Sequence, residues 1–298
     1  MKAKKSLWVK FALVVALAAF MVTGAGCGKA AKKIAIGSFG GPVVLDLLNT
    51  LLDSPNARLL KEAMPSNILL VTAAAEMGQS RELYEVCAFL YTSYGMMIED
   101  DDAIYAIQLY NIGKKYGIRG LCTNPAFAKG WDEGKKIPEL VGNLDQRYVM
   151  GLTWTGLATG LIIIHQMDDP MALMGLPDAV SLVKRSVELN QNYFFGVGKA
   201  FLGAYYALMP AFLGLGGGPE ASAEMFDEAR AITDGKFLMV DVFQARYLST
   251  YIDDRPGFEK LLNHVLEANS ADLKGGEALN DLAKIKARYF LSIEDELF

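Results

Sequence analysis

The chain has 298 residues, of which 52% are apolar and 21% charged, with a mean hydropathy of +0.21. This composition excludes an intrinsically disordered chain, which needs low hydrophobicity and high net charge. A formal charge of −5 with no Lys/Arg-rich stripe argues against nucleic-acid binding, where phosphate neutralisation dominates affinity. Two histidines and three cysteines leave little for a His/Cys metal cage or for redox chemistry.

The N-terminus carries Lys2, Lys4, Lys5 and Lys10, followed by an uncharged stretch from Phe11 to Val22. A basic start and a short apolar run form a secretory signal, and the run falls short of the roughly 20 residues of a membrane span. Gly24-Ala25-Gly26-Cys27 follows at once. Small residues before a Cys at this point resemble a bacterial lipobox, although Gly24 stands where Leu is usual. Residues 1–26 are therefore expected to be a lipoprotein signal peptide, with Cys27 lipidated. Their removal takes away four lysines and no acid, moving the formal charge from −5 to −9. Several acyl chains on Cys27 would hold the protein firmly to a bacterial membrane on the periplasmic side, more naturally the outer membrane. Residues 27–40 show no clear period and are expected to be a lipid-anchored tether. Residues 41–298 are expected to form a single domain. Cys87 falls within an apolar helical pattern and reads as a buried free thiol rather than a partner of Cys122.

Helical periodicity dominates from there on. Leu83, Val86, Cys87, Leu90, Tyr94 and Met97 lie on one stripe, as do Ala103, Ala106, Ile107 and Tyr110. Tyr148 to Ile164 is apolar throughout and suits a buried helix, Leu161-Ile162-Ile163-Ile164 included. Phe258, Leu261, Leu262, Val265 and Leu266 form another stripe, and Leu279, Leu282, Ala283, Phe290 and Ile293 the last. Pro177, Pro219 and Pro256 each precede an amphipathic stretch, as expected for first-turn prolines. Pro65 is expected to end or kink the first long helix, and Gly214 to Gly218 to form a turn. Helix starts recur at intervals near 40 residues. The fold class is therefore all-α, made of stacked helical hairpins, either a tetratricopeptide-like solenoid or a compact helical array.

Searching for chemistry yields no nucleophile–base set. His165 and His264 each stand far from any metal-ligand spacing, and His165 reads as a satisfied core residue. Glu99-Asp100-Asp101-Asp102 lacks the turning Gly and downstream Glu of a calcium loop, so Asp102 is expected to cap the helix from Ala103. Neither glycine-rich run ends in Gly-Lys-Ser/Thr, and Gly-x-Ser-x-Gly is absent. These readings point to no enzyme, cofactor or metal. Tyr91, Tyr94, Tyr105, Tyr110, Tyr116, Trp154, Tyr193, Tyr205 and Tyr206 crowd the middle of the chain. Side chains that combine apolar area with a polar tip suit a partly apolar groove, although helix packing uses them as well.

From about Leu59 to Phe298 the order and spacing of residues resemble one family, the T component associated with TRAP (tripartite ATP-independent periplasmic) transporters, the TatT-type lipoproteins. The resemblance runs through Ala63-Met64-Pro65, Leu90-Tyr91-Thr92-Ser93-Tyr94-Gly95, Leu109-Tyr110, Tyr116-Gly117-Ile118-Arg119 and Leu152-Thr153-Trp154. It continues through Asp169-Pro170, Ser186-Val187-Glu188-Leu189, Gly235-Lys236, Ala245-Arg246, Leu261-Leu262 and the terminal Leu297-Phe298. Ile112 stands where the family often has Arg, and Lys199 where it often has His. The resemblance implies a non-enzymatic, tetratricopeptide-like periplasmic lipoprotein, assembled as a homotrimer with a groove or pore. It implies docking to a TRAP-type solute-binding protein and a small, partly hydrophobic organic ligand. On this reading Tyr91, Tyr94, Tyr110, Arg119, Trp154 and Lys199 are the ligand or pore candidates. The alternative is a helical-repeat scaffold of the envelope that holds proteins and no small ligand.

Overall fold

The structure is a computed structural model and describes residues 29–52, 56–208 and 217–298. The expected signal peptide, Cys27 and most of the Gly214–Gly218 turn lie outside the described residues. Among the described residues there are helices and no strand. In chain order the helices are α1 (Lys29–Leu52), α2 (Ala57–Gly78), α3 (Arg81–Ile98), α4 (Ala103–Leu121), α5 (Pro125–Asp132), α6 (Ile137–Leu140) and α7 (Val149–Ile164). There follow α8 (Pro170–Leu173), α9 (Leu176–Leu189), α10 (Val197–Leu208), α11 (Pro219–Ile232), α12 (Met239–Phe243), α13 (Arg255–Glu267), α14 (Glu277–Ser292) and α15 (Glu294–Leu297).

The helix boundaries follow from cap chemistry. Side chains of Ser80, Asp102, Asn124, Asp169 and Asp254 each accept a backbone N–H in the first turn of the helix they precede. Asp102 is thus the expected cap, at 3.0 Å from the Tyr105 nitrogen. Pro177, Pro219 and Pro256 sit in the first turns of α9, α11 and α13, where an absent N–H leaves no bond unmade.

Neighbouring helices pair as antiparallel hairpins, α3 with α4, α7 with α9 and α10 with α11. Helix α7 runs through the centre and is buried almost all round, with Leu152, Ala158 and Thr155 fully covered. Its length and apolar composition would suit a membrane span, but its surroundings are protein. Helix α14 then packs back against α2 and α1, so the stack closes on itself. An open solenoid brings only neighbouring repeats into contact. The packing is that of a compact helical array.

One expectation is corrected and one is narrowed. Residues 29–40, read as a tether, form the first half of α1, with Ile36 and Gly40 buried against the following helices. The buried face there is carried by few large apolar side chains, so its period is weak in the sequence. Of the two outcomes expected at Pro65, an end or a kink, the end is excluded, because α2 continues to Gly78. Burial of Met64 and Ile68 on either side of the proline holds the helix together.

The closure is fastened by charge. Lys286 on α14 is 3% exposed and donates to Glu99 Oε1 at 2.9 Å and to Asp100 Oδ2 at 2.7 Å, both just past the end of α3. His165 Nε2 lies 3.0 Å from Glu99 Oε2, and the Tyr110 hydroxyl donates to the same oxygen. Burial would raise the Glu99 carboxyl, but the Lys286 charge and the His165 and Tyr110 hydrogen bonds outweigh it and hold the group at about 2. A carboxyl lowered by folding supplies stability above its ordinary value of 4.5, and that stability is lost as the pH falls toward 2. Glu99→Gln should cost about 3–5 kcal/mol at neutral pH, because it deprives a buried ammonium of one of its two anions. Urea denaturation would show this, and Glu99→Leu combined with Lys286→Met should lose less than the sum of the single changes.

Candidate functional site

The largest cavity described has a volume of about 640 Å³ and lies where five segments converge. Helix α1 contributes Leu45, Leu48 and Leu52; α3 contributes Arg81, Glu82, Glu85 and Phe89. Gln146, Arg147, Val149 and Met150 enter from the start of α7 and the turn before it. The link between α9 and α10 supplies Asn190, Asn192, Tyr193, Phe194 and Phe195, and Gly275 completes the wall. An apolar body with a few convergent polar groups is the usual composition of a small-molecule site, and the volume falls in the usual range.

Helical geometry explains the α3 wall. Arg81, Glu85 and Phe89 recur every four residues and therefore share one face. Arg81 is committed within the protein. Its Nη1 donates to the Arg147 carbonyl at 2.6 Å, its Nη2 pairs with Glu82 at 2.5 Å, and its guanidinium lies 5.1 Å from the Tyr148 ring centre. Arg147 in turn pairs with Asp145 through Nε and Nη2.

Glu85 differs from the other acids among the described residues. It is 3% exposed, and its Oε1 has no hydrogen-bond partner. Burial pushes its carboxyl up to about 8, with Arg81 and the Gly151 N–H pulling the other way and Glu82 adding to the rise. Gly151 on α7 is what leaves room for it, since a Cβ there would stand 2.8 Å from Oε1 and 3.1 Å from Cγ.

The opposite wall is strained. Phe194, Phe195 and Gly196 have φ values of +46°, +59° and +82°. Consecutive left-handed aromatic residues are genuine outliers, and such strain persists only where the surroundings over-determine it. Phe194 is wedged between Phe89 and Trp154, with ring centres 5.6 and 5.0 Å away and edge-on geometry. Gly196 takes its conformation without a side chain, where a Cβ would meet Ile232 at 2.6 Å.

The sequence candidates disperse around this cavity. Trp154 is 2% exposed and stands behind the wall, edge-on to Phe89 at 4.6 Å, with its Nε1–H donating to the Tyr193 hydroxyl at 3.2 Å. Tyr91 and Arg119 meet at the seam of α2, α3 and α4. Tyr91 stacks on Tyr116 at 5.9 Å, and the Arg119 guanidinium lies 4.2 Å from the Tyr84 ring centre and forks onto Glu76. Hydrogen bonds from Arg119 and Tyr116 hold the Glu76 carboxyl down at about 2. Tyr94 packs edge-on against Tyr105, Tyr110 belongs to the Glu99 cluster, and Lys199 pairs with Glu228 between α10 and α11. None of the six lines the largest cavity, and Trp154 alone contacts residues that do. The residues missed are Glu85 and the Phe194–Phe195 turn. Their signals were a lone acid inside the apolar run Leu83 to Leu90, one turn after an arginine, and an aromatic triplet ending in glycine.

Cys87 and Cys122 are free, as read for Cys87, whose thiol burial pushes up to about 12. No group of three metal-ligating side chains occurs among the described residues.

The family model for the TRAP transporter T-component matches residues 54–298. The chain belongs to the TRAP transporter T-component family. Membership associates it with a TRAP transporter, and so with a bacterial membrane transport system. The match includes all of the cavity wall except the part supplied by α1. No curated protein sequence matches the chain.

Two measurements check the site. Trp154→Ala should cost about 3–5 kcal/mol of stability, the usual loss for a packed tryptophan, and lower the melting temperature accordingly. For Glu85 the sign is opposite to that of Glu99. Between its ordinary 4.5 and about 8 the folded state holds a proton that the unfolded state has released, so stability falls as the pH rises through that interval. Glu85→Gln should flatten the dependence of the urea midpoint on pH between about 5 and 8, each unit of separation being worth about 1.4 kcal/mol.

Proposed function

We propose that the protein is a non-enzymatic, lipid-anchored component of the periplasmic space that partners a TRAP-type solute-binding protein. It takes a small, partly hydrophobic organic solute in the cavity bounded by α1, α3, α7 and the Phe194–Phe195 turn, and assists its uptake or transfer. The observation that carries this reading is the cavity itself, about 640 Å³ and lined by leucine, methionine and phenylalanine together with polar side chains. The signal-like N-terminus and Cys27 support anchoring, which would raise the local concentration of the two partners and turn a weak encounter into an effective one. Family membership supports the transporter association.

The test is a cavity-filling variant. Met150 lines the cavity, and Met150→Trp would reduce its volume. The protein would be co-purified with the TRAP-type binding protein and retained small molecules identified by mass spectrometry. The expected result is a retained solute with the unaltered protein and at least about tenfold less with Met150→Trp, at unchanged partner binding. Equal partner binding with no small molecule in either preparation would favour the envelope scaffold instead.

A further inference from the structure

The cavity contains one polar group that the fold leaves without a partner. Glu85 is buried to 3% exposure on the cavity wall, its Oε1 unpaired. A buried hydrogen-bonding atom without a partner is uncommon in a folded protein and calls for a ligand, a water or a functional role. The carboxyl is hemmed in by Gly151 on α7 and by Gly120 on α4, whose Cβ position lies 3.2 Å from Glu85 Cγ. Glu85 is itself among the residues that line the cavity. The rest of the lining narrows the ligand class. Both arginines are already neutralised, Arg81 by Glu82 and Arg147 by Asp145, so the lining offers no uncommitted cation to a ligand anion. A ligand cation would sit beside Arg81, one turn from Glu85.

We propose that Glu85 is the specificity-determining residue of the cavity, and that the ligand is an uncharged amphiphile whose apolar body lies against Leu48, Phe89 and Phe194 while a hydroxyl or carbonyl oxygen accepts the Glu85 proton. The inference rests on the reading of the cavity as a ligand site. A neutral carboxyl can both donate to such an oxygen and accept from a hydroxyl, and Glu85 is the buried lining residue with an oxygen left unpartnered. No proton changes owner. The carboxyl remains the acid and the ligand the acceptor, so nothing is consumed. Selectivity follows because an apolar molecule without the oxygen leaves the buried carboxyl unpaired, whereas a charged head brings an ion to a place with no counter-ion.

Three probes of equal chain length test this, octan-1-ol, octanoate and octylammonium. The full chain is held in lipid nanodiscs and dialysed to equilibrium, with empty nanodiscs subtracted. Bound probe is counted by mass spectrometry. Octan-1-ol should bind at least about tenfold more tightly than either charged probe, a difference of about one buried hydrogen bond. Glu85→Gln should keep that preference, since the amide still donates, and Glu85→Leu should lose it. In the unaltered protein, octan-1-ol should shift the carboxylic-acid C=O infrared band that Glu85→Gln removes, a readout independent of whether Glu85→Leu folds. Tighter binding of octanoate or octylammonium, or an unshifted band at saturating octan-1-ol, overturns the inference and leaves the cavity reading intact. Binding of none of the three above the blank overturns both.

Discussion

The ion cluster of Lys286, Glu99 and Asp100 is the interaction on which the arrangement depends. Lys286 is withdrawn from water and Glu99 and Asp100 are partly so, which is unfavourable unless each finds opposite charge and hydrogen bonds. Here each does, with His165 and Tyr110 completing the Glu99 oxygens. The cluster joins α14 to the end of α3 across 187 residues of sequence, converting a row of hairpins into a closed array. It does so at one end of α3. The other end of that helix carries Arg81, Glu85 and Phe89, the cavity wall. An 18-residue helix is about 27 Å long, so a single rigid rod links the fastening to the site.

The same helix shows how environment assigns different states to one residue type. Glu85 is buried near the start of α3, and Glu99, just past its end, has a side chain 12% exposed. Glu99 has a cation and two hydrogen-bond donors, and it is held ionised. Glu85 has Arg81 within electrostatic range but no direct partner for Oε1, and desolvation prevails. The first arrangement is complete and structural. The second leaves one oxygen without a partner. The contrast matters more than either value, because paired groups that are driven apart by their surroundings mark different roles.

Much of the fold was legible in the sequence because helices announce themselves locally. Apolar stripes at 3.6-residue spacing gave α3, α4, α13 and α14, and Asp102 and Pro256 marked the starts of α4 and α13. Closure was not legible. Lys286 and Glu99 are 187 residues apart, and nothing in their neighbourhoods ties one to the other. Helix α1 was obscured by its glycines, which carry a buried face without hydrophobic weight. The site was legible only in part. Of the aromatic candidates Trp154 backs the cavity wall, while most of the other rings serve helix packing and two polar clusters. Burial of a single acid depends on which helices surround it, so Glu85 could be singled out only once α4 and α7 were in place.

The strained turn gives the cavity a connection to the second half of the molecule. Left-handed backbone at Phe194 and Phe195 costs roughly 1–3 kcal/mol at each residue unless other contacts offset it. The offsetting contacts come from both sides. Phe194 is gripped by Phe89 of α3 and Trp154 of α7, while Phe195 lies 5.5 Å from Phe237, which precedes α12. Gly196 abuts Ile232 at the end of α11. A ligand seated against Phe89 and Phe194 therefore touches side chains that also hold the turn in its unfavourable conformation. Binding and the packing of α11 and α12 share those contacts, so any energy the ligand adds to the Phe194 wall is felt across the junction between the two halves of the array. A wall built from relaxed backbone would hold the same ligand without that coupling, because it would need no support from beyond the cavity to keep its shape.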